Sequence, residues 1–386
     1  MLSRRALLGS LAALPLLGSG RLGAQNRRVG GARIVVLDNR VWMQVKFGPR
    51  GPYAFVIDTG AFTNLIRRDL VRELGLRQIG DQTLRGVGGS HQMGLYEGRA
   101  IALGTTTIGD LDFAAYEHED LGIHREAMGA LSTAVLTVAD SELDFSQNEW
   151  RIYPDGRGAR PGYERLESEI SRAVTRVGAA TMHVEAAIGG QTYRLQVDTG
   201  APGQVLLWPR AARRSGLWND ATPYSPGQRR GIGGVGAASR LVRAPEIRIG
   251  SLRFERPLVS LTDPDSRDAL PSDGLLGIGV IERMNWSTEI GAGKIWAKAS
   301  GLPARPERYG MAGTWLEERQ GKVVVALVSP RSPAADAGLR PGDEIEGIGF
   351  QALIARLGGR VGDRIPVSYR RGGQAHRTEI ALRDFL

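Results

Sequence analysis

The chain has 386 residues, 42% of them hydrophobic, enough to bury a core in each of two or three domains. Its formal charge of +9 is spread over arginines that often stand beside acids, with no interleaved aromatics, which argues against nucleic acid as a partner. There is no cysteine, so disulfides, thiolate metal sites and a lipid-modified cysteine are excluded, and the 53 glycines predict short strands and turns rather than helical bundles.

Residues 1–24 have the layout of an export signal: Arg4-Arg5, an apolar run over 6–17 and a small-residue region near Ala24. Ser3-Arg4-Arg5-Ala6-Leu7-Leu8 resembles a twin-arginine signal, which implies export of the folded chain to a periplasmic location. The run is shorter than the ~20 residues a membrane span requires, so no stable span is expected once the leader is removed. Left uncleaved, the leader is instead an N-terminal anchor. Arg4, Arg5 and Arg21 belong to it, which leaves +6 on the remainder.

Next comes a unit over 33–158. Runs at 41–47 and 53–57 predict paired strands across a turn-rich link at 48–52. The second run ends in Asp58-Thr59-Gly60-Ala61. Leu65-Ile66 follows, then a basic helical stretch ending Leu74-Gly75-Leu76, the cluster Arg85-Gly86-Val87-Gly88-Gly89, and Ile101, Leu103, Gly104, Ile108 and Gly109. Further on, His118-Glu119 and His124 suggest a zinc site, but histidines six apart cannot share a helical face. With Asp120 and Glu126 nearby, a solvated acidic loop is expected and no metal. The stretch 154–162 reads as a linker by composition.

A second unit over 170–300 repeats the order of the first. Runs at 182–188 and 193–197 flank Gly189-Gly190 and lead to Asp198-Thr199-Gly200-Ala201. Then come Leu206-Leu207, a basic stretch ending Ser215-Gly216-Leu217, the cluster Arg230-Gly231-Ile232-Gly233-Gly234, and Ile247, Ile249, Gly250 and Leu252. Only the loop lengths differ, so this is an internal duplication. Gly231, Gly233 and Gly236 spell a dinucleotide fingerprint, but Gln228-Arg229-Arg230 precedes them instead of an apolar strand, so a plain hairpin is expected.

One aspartate at a strand end signifies little. Two, 140 positions apart in matching surroundings, predict two halves that each deliver a carboxylate to one site. Close carboxylates cannot both ionise readily, and the pair then offers one acid and one base to a single water. The doubled hydrophobic-Asp-Thr-Gly-Ala resembles the aspartic proteases of the retroviral type, in a tandem single-chain form covering 33–300. The resemblance implies a mainly β fold of two lobes about a pseudo-twofold axis, with Asp58 and Asp198 catalytic. Thr59 and Thr199 would brace the two active loops, Gly60 and Gly200 would allow close approach, and Ala61 and Ala201 would complete the loops. The glycine clusters Gly86, Val87, Gly88, Gly89 and Gly231, Ile232, Gly233, Gly234 would be flaps over a polypeptide substrate. The resemblance implies no cofactor and no metal, and a monomer suffices because both carboxylates are on one chain.

There are departures from the family pattern. Ala61 and Ala201 stand where many relatives carry a hydroxyl that would favour the charged carboxylate, so a shared proton held to higher pH is expected. Asp273-Gly274-Leu275-Leu276-Gly277-Ile278-Gly279 resembles the family's loop-supporting segment, but Gly129-Ala130-Leu131-Ser132-Thr133-Ala134 lacks its second glycine. Gln196 stands where the first half has Val56. His91, just past the first cluster, is expected in an exposed loop.

The tail, 308–386, resembles a PDZ domain of the bacterial type. A buried-strand run at 322–328 precedes Ser332-Pro333-Ala334-Ala335, which opens a short helix, and Gly338-Leu339-Arg340-Pro341-Gly342-Asp343 turns into the next strand. Helical sequence for walling a peptide groove runs only over 351–357, and strands at 364–370 and 375–382 close the module. A small α+β unit that takes a peptide ligand is implied. The competing reading of the whole chain is a peptide-binding scaffold that has lost turnover.

Overall fold

The computed structural model describes residues 29–86, 89–117, 125–171, 179–231, 234–267, 271–307 and 309–386. The leader, Val87 and Gly88, Ile232 and Gly233, and the His118-Glu119…His124 segment lie outside the described residues. The chain is mainly β, with 51% strand and 10% helix.

In the first unit, Arg40–Phe47 pairs antiparallel with Arg50–Ile57 and Phe47 faces Arg50. The turn is therefore the two residues Gly48-Pro49, shorter than the five-residue link expected, because Arg50, Gly51 and Pro52 already extend the second strand. Alternation sends Met43, Val45, Phe47, Phe55 and Ile57 into the core.

Asp58 follows the end of that second strand. The chain then forms the strand Asn64–Arg67 and the helix Arg68–Leu74, which Gly75 ends in the left-handed conformation at φ 65°. The short strand Gly129–Leu131 slips between these two strands, parallel to Arg50–Ile57 and antiparallel to Asn64–Arg67. Gly129 is required there, because a side-chain carbon at this position would lie 2.2 Å from the Leu65 carbonyl oxygen.

The second unit repeats this layout. Met182–Ile188 pairs with Gln191–Val197, and Gly274–Leu276 slips between Gln191–Val197 and Val205–Leu207. Gly274 meets the Leu206 carbonyl as Gly129 meets that of Leu65. Arg77–Gly86 with Gly89–Leu103, and Ser225–Gly231 with Gly234–Arg243, form long antiparallel hairpins. Their last described pairs are Gly86 with Gly89 and Gly231 with Gly234. Gly236 lies within the second hairpin's return strand, so the glycine triplet does not open a helix.

The second unit has a 10-stranded sheet of its own, but the two units also share strands. Asp140–Asp144 and Glu149–Tyr153 from the first, and Met284–Glu289 and Lys294–Ala299 from the second, join through Trp286 opposite Leu143. This shared sheet belongs to one 13-stranded sheet beneath the two active loops. Two buried indoles anchor it: Trp150 Nε1 donates to the Val135 carbonyl at 3.0 Å and Trp286 Nε1 to that of Ile281 at 2.8 Å. Each acceptor is in the helical turn that follows a slipped strand, so the shared sheet props both active loops from below.

Nor is 154–162 a loose linker. Arg157 and Tyr163 are buried, Arg157 Nε donates to Ser287 Oγ at 2.8 Å, and the Arg160 guanidinium lies 4.1 Å from the centroid of the Tyr153 ring. These contacts strap the connection across the shared sheet.

The C-terminal unit has its own core of Leu316, Val325, Ile345, Leu353, Val367 and Ile380, under five strands. Ser332 Oγ caps the helix Pro333–Asp336 by accepting from Ala335 N, and the helix Phe350–Leu357 packs on the sheet's first strand, Thr314–Arg319. This unit sits against the second lobe. Arg243 pairs with Glu307 at 2.7 Å, Ser225 Oγ donates to the Gly310 carbonyl at 3.0 Å, and Leu258 packs with Phe385 and Leu386. Among the described residues no helix is long and apolar enough to cross a membrane.

Candidate active site

The two Asp-Thr-Gly loops meet at the junction of the lobes. Thr59 N donates to Thr199 Oγ1 at 3.1 Å, and Thr199 N donates to Thr59 Oγ1 at 3.0 Å. Each hydroxyl then donates onward to the opposite lobe, Thr59 Oγ1 to the Val197 carbonyl at 2.8 Å and Thr199 Oγ1 to that of Ile57 at 2.7 Å. Both threonines are fully buried. Four reciprocal bonds of this kind fix the loops against one another more tightly than contact alone.

A valine at 199 isolates the worth of this lock. Valine has nearly the shape of threonine, with a methyl in place of the hydroxyl that bonds Thr59 N and the Ile57 carbonyl. Thr199→Val orphans the buried Thr59 N–H and removes the donor to Ile57, so stability is expected to fall by ~2–4 kcal/mol in urea denaturation followed by intrinsic fluorescence.

The lock brings the carboxyls face to face. Gly60 and Gly200 each lie against the opposite aspartate: a carbon added to Gly60 would be 2.5 Å from Asp198 Oδ1, and one added to Gly200 would be 2.5 Å from Asp58 Cγ. Each carboxyl is close enough to the other to change its proton affinity. Backbone donors hold each in place, Gly60 N to Asp58 Oδ1 at 3.1 Å and Gly200 N to Asp198 Oδ1 at 2.8 Å. Ala201 N adds a second donor to Asp198 Oδ1 at 3.1 Å, so at this position the backbone supplies a bond that a hydroxyl side chain would otherwise offer.

Burial pushes both carboxyls above the ordinary carboxylate range. For Asp198 the nearby charge of Asp58 adds to that effect. For Asp58 the Arg40 guanidinium, the bond from Asp198 and the backbone donors pull the other way without cancelling it. Asp198 is the more enclosed, at 9% exposure, while Asp58 is half-buried. One proton shared by the pair is the arrangement this favours.

Supporting residues differ between the halves. The missing second glycine of the first half is replaced by hydroxyls: Thr133 Oγ1 donates to the Thr59 carbonyl at 2.6 Å, and Ser132 N and Oγ donate to Asn64 Oδ1. In the second half Gly277 keeps the corresponding place, with its N–H on the Gln204 carbonyl at 2.8 Å and no room for a side chain beside Gly203. Gln196 reaches across the junction and donates to the Gly60 carbonyl at 3.2 Å. Sequence reading misses Asn64, Thr133 and Arg40. A polar residue shortly after the first Asp-Thr-Gly triplet is the signal for Asn64, and the missing second glycine after Leu131 is the signal for Thr133.

Of the flap residues, Gly86, Gly89, Gly231 and Gly234 lie at the described ends of the two hairpins, while Val87, Gly88, Ile232 and Gly233 fall outside the described residues. Gln82, on the first hairpin, donates through Nε2 to Thr63 Oγ1 at 3.1 Å, which ties that hairpin to the active loop. His91 is not in a loop; it is partly buried in the return strand, opposite Leu84. Among the described residues no three histidines, aspartates or glutamates stand close enough to hold a metal ion.

Comparison with known proteins agrees with this layout. The aspartyl protease family model matches the chain twice, over residues 43–137 and 184–280. Basic 7S globulin from soybean is similar in structure at 10% identity and a TM-score of 0.44, covering 72% of this chain and 100% of its own. The aspartic proteinase from Irpex lacteus is similar at 12% identity and a TM-score of 0.45, covering 71% of this chain and 98% of its own. No curated protein matches. The two matches of the family model fall on the two repeated β domains, which are aspartic-protease-like, and a smaller third unit follows them.

Proposed function

We propose that the chain is an aspartic endopeptidase that hydrolyses peptide bonds in extended polypeptides, with Asp58 and Asp198 as its catalytic pair. The observation that carries this reading is the approach of the two carboxyls at the lobe junction, each lying directly against the other lobe's glycine. A water held between them loses a proton to the charged carboxylate as it attacks the scissile carbonyl, and the protonated partner donates to the carbonyl oxygen. When the tetrahedral intermediate collapses, the carboxyl that took the proton gives it to the leaving nitrogen, while the other takes a proton back from a hydroxyl of the diol as the new carbonyl forms, so the pair returns to its starting state. No side chain becomes covalently attached. The threonine lock holds both acids at the separation this exchange needs. The two hairpins would close over the substrate backbone as flaps and exclude bulk water. Both acids are on one chain, so a monomer is sufficient.

The reactive form carries one proton on the pair. Since burial raises both carboxyls, the upper limb of the pH profile is expected to lie above the usual carboxylate range, with activity reaching neutrality. Measuring kcat/KM from pH 2 to 9 on a quenched peptide checks this; a profile confined below about pH 4 would contradict it.

The deciding experiment is digestion of an unfolded protein such as reduced casein. Wild type should cleave it, and Asp58→Asn and Asp198→Asn should not. Binding of peptide without cleavage by wild type would favour the inactive scaffold. We further infer export through the twin-arginine-like leader, and a PDZ-like C-terminal unit that takes a peptide beside the helix Phe350–Leu357.

A further inference from the structure

Arg40 begins the strand that pairs with the one leading to Asp58. Val41 faces Ile57, so the next position on each strand places Arg40 opposite Asp58 at the open end of the hairpin. Its positive charge reaches both Asp58 and Asp198. It is partly exposed, and among the described residues its guanidinium has a single hydrogen bond, from Nη1 to the adjacent Asn39 carbonyl at 3.0 Å. No carboxylate there, the dyad included, comes within ion-pair distance of it. At the matching register position of the second lobe there is no cation: His183 faces Gln196, which places Thr181 opposite Asp198. The neighbouring cation Arg305, which donates to the Val36 carbonyl, is neutralised by Glu282 at 2.6 Å and does not compete.

A guanidinium that stands beside the dyad without pairing to it retains most of its donors for a ligand, and its planar fork matches a carboxylate. We propose that Arg40 is a specificity-determining residue that binds a carboxylate of the substrate on one side of the scissile bond. This rests on the peptidase reading of the cleft. A glutamate or aspartate side chain and a peptide's C-terminal carboxylate both supply that chemistry. With Thr181 at the mirror position, the preference is one-sided.

The test uses the full chain carrying Asp198→Asn, so that binding is read without turnover. Fluorescein-labelled extended peptides with acetylated and amidated ends carry a single glutamate, or its glutamine match, walked through successive positions, and Kd is measured by anisotropy. A glutamate at one position is expected to tighten binding about tenfold over glutamine. Adding Arg40→Gln should abolish that difference, Arg40→Lys should keep part of it, and Arg40→Glu should transfer it to a lysine-bearing peptide. An advantage seen only when the C-terminus is left free assigns the site to the terminal carboxylate. Equal binding of glutamate and glutamine peptides at every position and with either terminus, an advantage that survives Arg40→Gln, or no peptide binding at all would overturn the proposal. Selection by Arg40 in a chain whose wild type cleaves nothing would leave this inference standing and remove the peptidase reading.

Discussion

Asp198→Asn is expected to lower hydrolysis by about 10²–10⁴-fold, the usual worth of a positioned acid or base, and to raise the melting temperature at neutral pH. The two effects have one cause. Both carboxyls bind a proton more tightly in the fold than in the unfolded chain, because burial penalises their charged forms. A carboxyl raised in this way favours folding at acid pH. That contribution is lost as pH climbs from the unfolded carboxylate value through the folded one. At pH 8 the folded pair is therefore forced towards two charges in a closed space, and an asparagine removes one of them while keeping the shape. The melting temperature of Asp198→Asn should exceed that of wild type at pH 8, and the gap should shrink towards pH 4. Asp58→Asn should behave alike in activity, with a smaller gain in stability because Asp58 is less enclosed and has Arg40 nearby. Scanning fluorimetry across that range, beside a casein digest, checks both halves. A destabilised, inactive Asp198→Asn at pH 8 would mean that the carboxyl serves the fold rather than the reaction.

Gly200→Ala carries the second large effect. The backbone at 200 is outside the left-handed region, so an alanine costs nothing in φ. Its methyl, however, would lie 2.5 Å from Asp58 Cγ and 2.7 Å from Oδ2. Either the carboxyl rotates off its backbone donor or the lobes part and strain the threonine lock. Overpacking of this kind costs about 1–3 kcal/mol, and a displacement of the acid by about 1 Å is worth on the order of 10²-fold in rate. The expected result is a folded chain, less stable by that amount, whose kcat falls at least a hundredfold. Gly291→Ala is the matched control: its added carbon meets open space in the turn between two strands of the shared sheet, and activity should match wild type. An active Gly200→Ala would show that the carboxyls do not need the close approach the two glycines permit.

Much of this site is legible in the amino-acid order alone. Equivalent order around Asp58 and Asp198 predicts twin lobes, and the paired strands, the slipped strand after each helix and the glycine-ended hairpins all appear in both. Turn and helix punctuation survives translation into structure because it is local. Gly75 and Gly216 both take positive φ near helix ends, and Gly104 and Gly250 take it in turns between strands, as their matched places in the repeat require.

Other features depend on contacts between segments that lie far apart in the chain. Residues 154–162 have the composition of a linker, yet Arg157 and Arg160 use aromatic rings of the shared sheet to lie flat against it. The loss of the second glycine after Leu131 reads as a bare departure from the repeat. In three dimensions the Thr133 hydroxyl reaches the Thr59 carbonyl, a bond that no local pattern announces. The asymmetry of the pair arises the same way, since sequence treats the two triplets as equals. Only the packed fold encloses Asp198 more than Asp58 and sets Arg40 opposite the latter.

The amino-acid sequence by itself determined that two like lobes each carry an aspartate at a strand end, because periodicity, turn chemistry and duplication are written in neighbouring residues. Tertiary structure decided that the pair holds a proton tightly, which polar groups brace the loops and where a cation stands beside the pair. Those depend on burial and on charges brought together across the junction, and free energies of that kind exist only once the lobes have closed.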